Sequence, residues 1–312
     1  MLLSERQDRE LGWLQPLKHD LSAAIDEDRL AHGLLIYGSH GTGRRELARY
    51  LAERLLGKVL DENDQHPDYR EIVPEADLPE EVVKGGKKSI SVEQTRDLIQ
   101  FMQLKSHQQG YKVAAIYPAD KMTNAAANSF LKTLEEPPVD TALILVCERL
   151  NSLPATVISR CQHLRVSAPP IEAGLEWLDA IEPNPDWRPL LEFCGGAPIF
   201  ARELAEQGFI DVARGYTRDL AAIQQRRADP VAIARKWVKT DLNLCFRWLY
   251  SQTAKIMRQQ ASAGNANQST EACYVYLREL NELKRLQNGG ISMETNLARM
   301  LFAWYGGFTG ID

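Results

Sequence analysis

The spacing of apolar residues changes character near residue 168. Before it, short unbroken apolar runs alternate with helical spacings; after it, only helical spacings remain. His32-Gly33-Leu34-Leu35-Ile36-Tyr37 is too short a run for a helix and ends at a glycine-rich turn, which predicts a buried parallel strand. From Arg44 to Leu56 the apolar residues Leu47, Ala48, Leu51, Ala52 and Leu55 fall three and four apart, as one face of a helix requires. Residues 112–116, 142–146 and 163–166 predict three further strands. Ser91 and Gln94 have the spacing of a capping box, opening a helix that runs to about Leu104. Thr123 caps another helix, in which Ala127, Phe130, Leu131 and Leu134 form a stripe and Pro137-Pro138 the stop. The polar stretch 61–88 holds Pro67, Pro74, Pro79 and Gly85-Gly86 and predicts irregular, exposed chain. Strands alternating with helices in this way predict an α/β domain, a parallel sheet covered on both faces.

Beyond Ala168-Pro169-Pro170 the strand signals fade. Short helices broken at Pro183, Pro185 and Gly195-Gly196 are predicted over 171–205. Longer ones follow at 210–227, 230–262, 269–287 and 292–306, with a helix–helix loop at 261–270. Three regions result: an α/β domain over 1–167, a small helical domain over 168–207 and a larger helical domain over 208–312. Composition narrows the function. With 44% hydrophobic and 25% charged residues the chain has ample material for cores. Its net charge of -5 argues against a protein that grips nucleic acid by bulk electrostatics. Residues 1–13 hold charges throughout and no run approaches the length of a membrane span, so a cytoplasmic location without membrane contact is expected. The cysteines Cys147, Cys161, Cys194, Cys245 and Cys273 are scattered, and none forms a C-x-x-C pair. Reduced, mostly buried thiols are expected, with neither a zinc knuckle nor a disulfide framework.

Between the first strand and its helix lies Gly38-Ser39-His40-Gly41-Thr42-Gly43-Arg44-Arg45. This is the frame of a phosphate-binding P-loop, G-x-x-x-x-G-K-[S/T], with its last two positions changed. In the working motif, backbone N–H groups wrap phosphate, the Lys reaches the outer phosphates and the hydroxyl ligates Mg²⁺. Arg44 stands at the Lys position; it still pairs with phosphate, but as a planar and bulkier group. Arg45 stands at the hydroxyl position and has no lone pair for a metal. The frame of an ATPase is present and its chemistry is not.

Further motifs lie downstream. Asp120-Lys121-Met122-Thr123-Asn124 leads into Ser129-Phe130-Leu131-Lys132-Thr133-Leu134-Glu135-Glu136-Pro137-Pro138. Leu153-Pro154-Ala155-Thr156-Val157-Ile158-Ser159-Arg160-Cys161-Gln162 follows, and His66-Pro67-Asp68 lies upstream. With the P-loop frame, these make residues 28–166 resemble the clamp-loader subunits of bacterial DNA polymerase III, which are AAA+ proteins, and within them the delta-prime branch. The resemblance implies a AAA+ nucleotide-binding-like domain, a helical lid and an all-α C-terminal collar. It implies a hetero-oligomeric ring with ATPase (gamma/tau) and delta subunits that opens a sliding clamp and closes it around primer–template DNA. It also implies that Arg160 acts in trans, as an arginine finger facing ATP on the neighbouring subunit. Outside the motif an arginine there would count as an ordinary surface residue. Ser159 and Cys161 are expected to set packing.

Departures from the family pattern point to a silent site. Tyr117 and Pro118 follow the strand at 112–116 where Walker B acids are expected. With Arg44 and Arg45, four catalytic positions are lost, and no cofactor is expected to bind productively. Residues 57–66 lack the family's zinc cysteines, so no metal is expected and His66 is assigned a structural role. Gly195-Gly196-Ala197-Pro198-Ile199 lacks the lid's sensing arginine, and Arg202 is off register. The six tryptophans are expected in cores or interfaces; Lys84, Lys87 and Lys88, and Arg226-Arg227, are expected to be solvated. The apolar face around Trp237, Leu244, Trp248 and Leu249 fits either an internal core or a seam to neighbouring collars. Two alternatives stay open: a weakened ATP-binding switch using Arg44, and a DNA-binding module outside polymerase assembly.

Overall fold

The computed structural model describes residues 11–60, 66–78, 85–107, 110–262, 268–288 and 292–305. The chain divides into two compact units, Met1–Arg202 and Glu203–Asp312. The first opens with a short 3-10 turn at Gly12–Leu14. Then come α1 (Gln15–Asp26), β1 (Gly33–Tyr37), α2 (Arg44–Leu56), β2 (Tyr69–Ile72), α3 (Val92–Gln103), β3 (Lys112–Ile116) and α4 (Asn124–Ser129). These are followed by α5 (Leu131–Glu135), β4 (Thr141–Cys147), α6 (Ala155–Ile158), β5 (Gln162–Arg165), α7 (Ile171–Ile181), α8 (Trp187–Phe193) and α9 (Pro198–Glu206). The strands form one parallel sheet in the order β2-β3-β4-β1-β5.

The three inner strands are buried along nearly their whole length because both of their faces are covered. Apart from Lys112 and Thr141 at their starts they carry apolar residues or glycine, with Tyr37 at the end of β1. Alternate residues serve opposite sides. Leu34, Ile36, Val113, Ala115, Ile144 and Val146 pack with Leu47 and Leu51 of α2. Leu35, Ala114, Ile116, Leu143 and Leu145 pack with Leu98 of α3, Phe130, Leu134 of α5 and Val157 of α6. The edge strands differ: β5 is largely exposed and β2 only partly buried. The strand β2 corrects the expectation of irregular chain over 61–88. Its sequence Tyr69-Arg70-Glu71-Ile72 has no apolar run to betray it, since an edge strand keeps polar side chains. Residues 61–65 and 79–84, Lys84 among them, lie outside the described residues.

At Ser91 the capping box forms in full: Ser91 Oγ accepts from the Gln94 N–H, and the Gln94 side chain accepts from the Ser91 N–H. The single helix expected after Thr123 is two short ones meeting at Phe130. Thr123 caps the first as expected, accepting from the Ala126 N–H at 3.1 Å.

His66-Pro67-Asp68 anchors the edge of the sheet. The Asp68 carboxylate, 1% exposed, accepts from the His107 N–H at 2.9 Å, Ser106 Oγ at 3.1 Å and Lys112 Nζ at 3.2 Å. Burial alone would raise the Asp68 pKa, but the His107 N–H, Lys112 and Ser106 together hold it below the usual aspartate value. Lys112 also sits over the Phe101 ring at 4.5 Å. His66 Nδ1 accepts from the Asp68 N–H, a structural use of the imidazole.

The second unit contains α10 (Phe209–Gln224), α11 (Pro230–Trp237), α12 (Leu242–Ser262), α13 (Gln268–Arg285) and α14 (Met293–Tyr305). The helix expected over 230–262 is broken between Trp237 and Leu242. Asp241 makes the break: its Oδ1 accepts from the N–H groups of Asn243 at 2.8 Å and Leu244 at 3.2 Å, starting α12 afresh. Within the expected loop at 261–270, the chain is helical to Ser262 and from Gln268, and 263–267 lie outside the described residues. Trp237, Phe246, Leu249, Tyr276, Leu297 and Trp304 are buried. Tyr276 OH accepts from Trp304 Nε1 at 3.0 Å, and Asp219 from Trp237 Nε1 at 2.8 Å.

Candidate functional site

The glycine loop joins the end of β1 to the start of α2, with Gly43 as the N-cap residue. A side chain at Gly38 would meet the Val166 carbonyl at 2.0 Å, because Val166, just past β5, runs alongside and donates its N–H to the Tyr37 carbonyl at 2.8 Å. Gly41 has φ +75°, and a Cβ there would lie 2.3 Å from the Phe200 backbone nitrogen. Helix α9 therefore presses on the loop: Ile199 N–H donates to the Gly41 carbonyl at 3.2 Å, and the His40 and Phe200 rings meet edge to face at 4.9 Å. On the other flank, Trp13 Nε1 donates to the Thr42 carbonyl at 2.9 Å, and the Trp13 ring stands edge-on to Trp177 at 5.7 Å. Leu11, Glu46, Trp177, Ile199 and Arg202 enclose a cavity of about 30 Å³. That is the space of about one water molecule. Arg202, set aside by its register, lines this cavity.

Three of the four altered positions, Arg44, Arg45 and Tyr117, make contacts of their own. Arg45 Nη2 pairs with Glu71 of β2 at 3.0 Å, and its guanidinium lies over the Tyr117 ring at 5.1 Å. Tyr69 OH donates to the other Glu71 oxygen at 3.1 Å. Burial alone would lower the Arg45 pKa, but Glu71, Tyr117 and Tyr69 together outweigh it and hold the guanidinium above its ordinary value. A fixed cation thus occupies the position where the motif would supply a metal-binding hydroxyl. Arg44, only 4% exposed, brings Nη2 to 3.7 Å from Glu148, the residue after β4, while its Nη1 is buried without a hydrogen-bond partner. His40 Nδ1 stands 4.0 Å from the same Glu148 oxygen. A carboxylate facing the arginine of a phosphate-loop frame sets a negative charge where the motif would hold an anion. Among the described residues, no three His, Cys, Asp or Glu side chains gather as a metal site requires.

Arg160 lies at the other end of the sheet. It precedes β5, and its carbonyl is 3.3 Å from where a Gly33 Cβ would stand, at the first residue of β1. The glycine loop leaves the last residue of β1, on the order of 13 Å farther along the strand. The Arg160 side chain is partly exposed and bonds Glu135 and the Thr156 carbonyl. Burial pushes the Cys161 thiol up to about 11, so it stays protonated and inert at neutral pH, a packing residue.

Residues 14–170 match the family described as DNA polymerase III, delta subunit. The Haemophilus influenzae protein named DNA polymerase III subunit delta' is 33% identical over 232 residues, 69% of this chain and 68% of that one. The chain belongs to the delta-prime family of DNA polymerase III subunits. The delta-prime protein of Pseudomonas aeruginosa is 31% identical over 265 residues, covering 80% of this chain and 77% of that one. A solved structure, a DNA polymerase III gamma subunit-related protein from Thermotoga maritima, matches 93% of this chain and 99% of its own with TM-score 0.52 and 18% identity. That likeness carries the fold: a P-loop-type α/β domain followed by helices. No helix among the described residues is long and apolar enough to cross a membrane.

Within this delta-prime frame, the motif positions Gly38, Gly41, Gly43, Arg44 and Arg45 come together around one loop, and Arg160 stands apart from them. Glu71, Glu148, Phe200 and Glu135 escaped sequence reasoning. Glu135 lies inside a quoted motif, but nothing in the motif says which of its two acids meets Arg160. The other three are far from their partners in sequence and carry no local signal.

Proposed function

We infer that this member of the delta-prime family is a non-catalytic, stator-like subunit of a DNA polymerase III clamp loader, acting in the cytoplasm. Its proposed neighbours are ATPase (gamma/tau) and delta subunits, and its task is to aid ATP-dependent loading of a sliding clamp onto primer–template DNA. It donates Arg160 in trans to ATP held by an adjacent ATPase subunit. Residues 1–167, 168–207 and 208–312 serve as nucleotide-binding-like, lid and collar domains. The observation that carries this reading is the position of Arg160 at the end of β1 opposite the chain's own glycine loop. That separation supports a role toward a nucleotide bound by another subunit rather than by the chain's own loop. A fixed guanidinium facing a γ-phosphate stabilises the charge that develops as the phosphoryl group leaves. Meanwhile Arg45, held by Glu71 and Tyr117, fills the chain's own metal position.

The test is ATP turnover by the reconstituted loader with clamp and primed DNA, comparing the wild-type chain with Arg160→Ala and confirming assembly of both. A loss of about a thousandfold is expected at the site the finger serves. Unchanged turnover in an intact ring would reduce Arg160 to a structural residue and leave a pure scaffold. One observation favours the second reading, an ATP-binding switch: the buried Arg44 Nη1 has no hydrogen-bond partner. That reading requires saturable ATP binding by the isolated chain in equilibrium dialysis.

A further inference from the structure

Glu135 closes α5 and has no part in the reading above. Arg160 places both Nε, at 3.0 Å, and Nη2, at 2.5 Å, on one oxygen of this carboxylate. Its Nη1 donates to the Thr156 carbonyl of α6 at 2.8 Å and approaches Ser159 Oγ at 3.4 Å. A guanidinium is a planar fork of five N–H groups, so bonds from two sides set the plane as well as the position. Two elements supply them, α5 through Glu135 and α6 through Thr156. Glu135 is 51% exposed and Arg160 34%, so the pair is wet and yields readily when a stronger anion arrives.

We propose that Glu135 is the positioning residue for Arg160, ordering the guanidinium in the free subunit so that its remaining N–H addresses the neighbour's γ-phosphate. This rests on the trans-finger reading. A long arginine side chain loses rotamer freedom when it docks, and a finger already ordered by its own subunit has met that cost before the subunits meet. Because the pair is exposed, Glu135 aligns Arg160 without neutralising it permanently. A carboxylate that instead withheld the charge would act as a brake, and its removal would accelerate turnover.

Two measurements test this. In the reconstituted loader, Glu135→Ala is expected to lower kcat about threefold to fivefold, the rate equivalent of an exposed ion pair, with KM for ATP unchanged. Glu135→Gln, whose amide oxygen still accepts, is expected to restore most of the rate. In the isolated ¹⁵N-labelled chain, the Arg160 Nε–H resonance is expected to exchange slowly in the wild type and in Glu135→Gln, and fast in Glu135→Ala. An Arg160 resonance unaffected by Glu135→Ala, or a kcat that is unchanged or raised while Arg160→Ala abolishes stimulation, would overturn the positioning role and leave the finger standing. If Arg160→Ala itself leaves turnover intact, the finger reading fails and takes this role with it. The two failures are therefore distinct.

Discussion

Replacing Asp68 with asparagine tests how the sheet's edge is held. The carboxylate is buried and takes charge-assisted hydrogen bonds from the His107 N–H, Ser106 Oγ and Lys112 Nζ. The amide of Asp68→Asn would keep one acceptor oxygen for Ser106 or the His107 N–H but would leave the buried Lys112 ammonium without a counter-charge. Breaking one half of a buried pair costs about 3–5 kcal/mol. Lys112 retains the Lys105 carbonyl at 3.3 Å and the Phe101 ring, so the expected loss is at the lower end, about 3 kcal/mol. Urea unfolding followed by circular dichroism at pH 7 reads this as a lower midpoint with unchanged slope. Adding Lys112→Met to Asp68→Asn removes the stranded charge and should recover most of the loss. The pH dependence has a defined sign. The Asp68 pKa is lowered on folding, so its stabilisation is fully present above the unfolded value of about 3.9 and drains away as pH falls through the folded value. The gap between wild type and Asp68→Asn should be flat from pH 7 to pH 5 and close below that unfolded value. A gap under about 1 kcal/mol at pH 7 is what an exposed pair would give and would refute the account.

Restoring the P-loop lysine alone, Arg44→Lys, should leave the isolated chain without ATP turnover in a phosphate-release assay. Arg45 still holds the hydroxyl position, and Tyr117 and Pro118 the acidic ones; clear hydrolysis by the single variant would show that they do not silence the loop. In the second unit, Asp241→Ala should cost about 1 kcal/mol of stability by uncapping α12. A thermal melt identical to wild type would mean the helix break does not depend on that cap.

What could be foreseen follows from where each signal resides. The buried strands and α2 announce themselves because neighbours in sequence share one environment: Leu34, Leu35 and Ile36 are all fully buried. Ser91 and Gln94 complete their bonds within three residues, so that helix start was legible too. Tyr69–Ile72 was not, since an edge strand pairs on one side and tolerates Arg70 and Glu71. Helical spacing continues through Trp237 and Leu244, which hid the break that Asp241 imposes. At the site, the losses could be seen position by position in the P-loop frame. Their replacements could not, because Glu71 and Phe200 reach the loop only through the sheet and through α9.

The bonds around Arg45 tie the start of α2 to the edge of the sheet. Replacing Arg45 with serine would free Glu71 and uncover the Tyr117 ring, and replacing Tyr117 would remove the surface on which Arg45 rests. Phe200 of α9 and Trp13 also contact the loop. The loop frame is thus braced at once by the sheet edge, by α9 and by the turn at the start of the described chain, so its shape is set by contacts far apart in sequence.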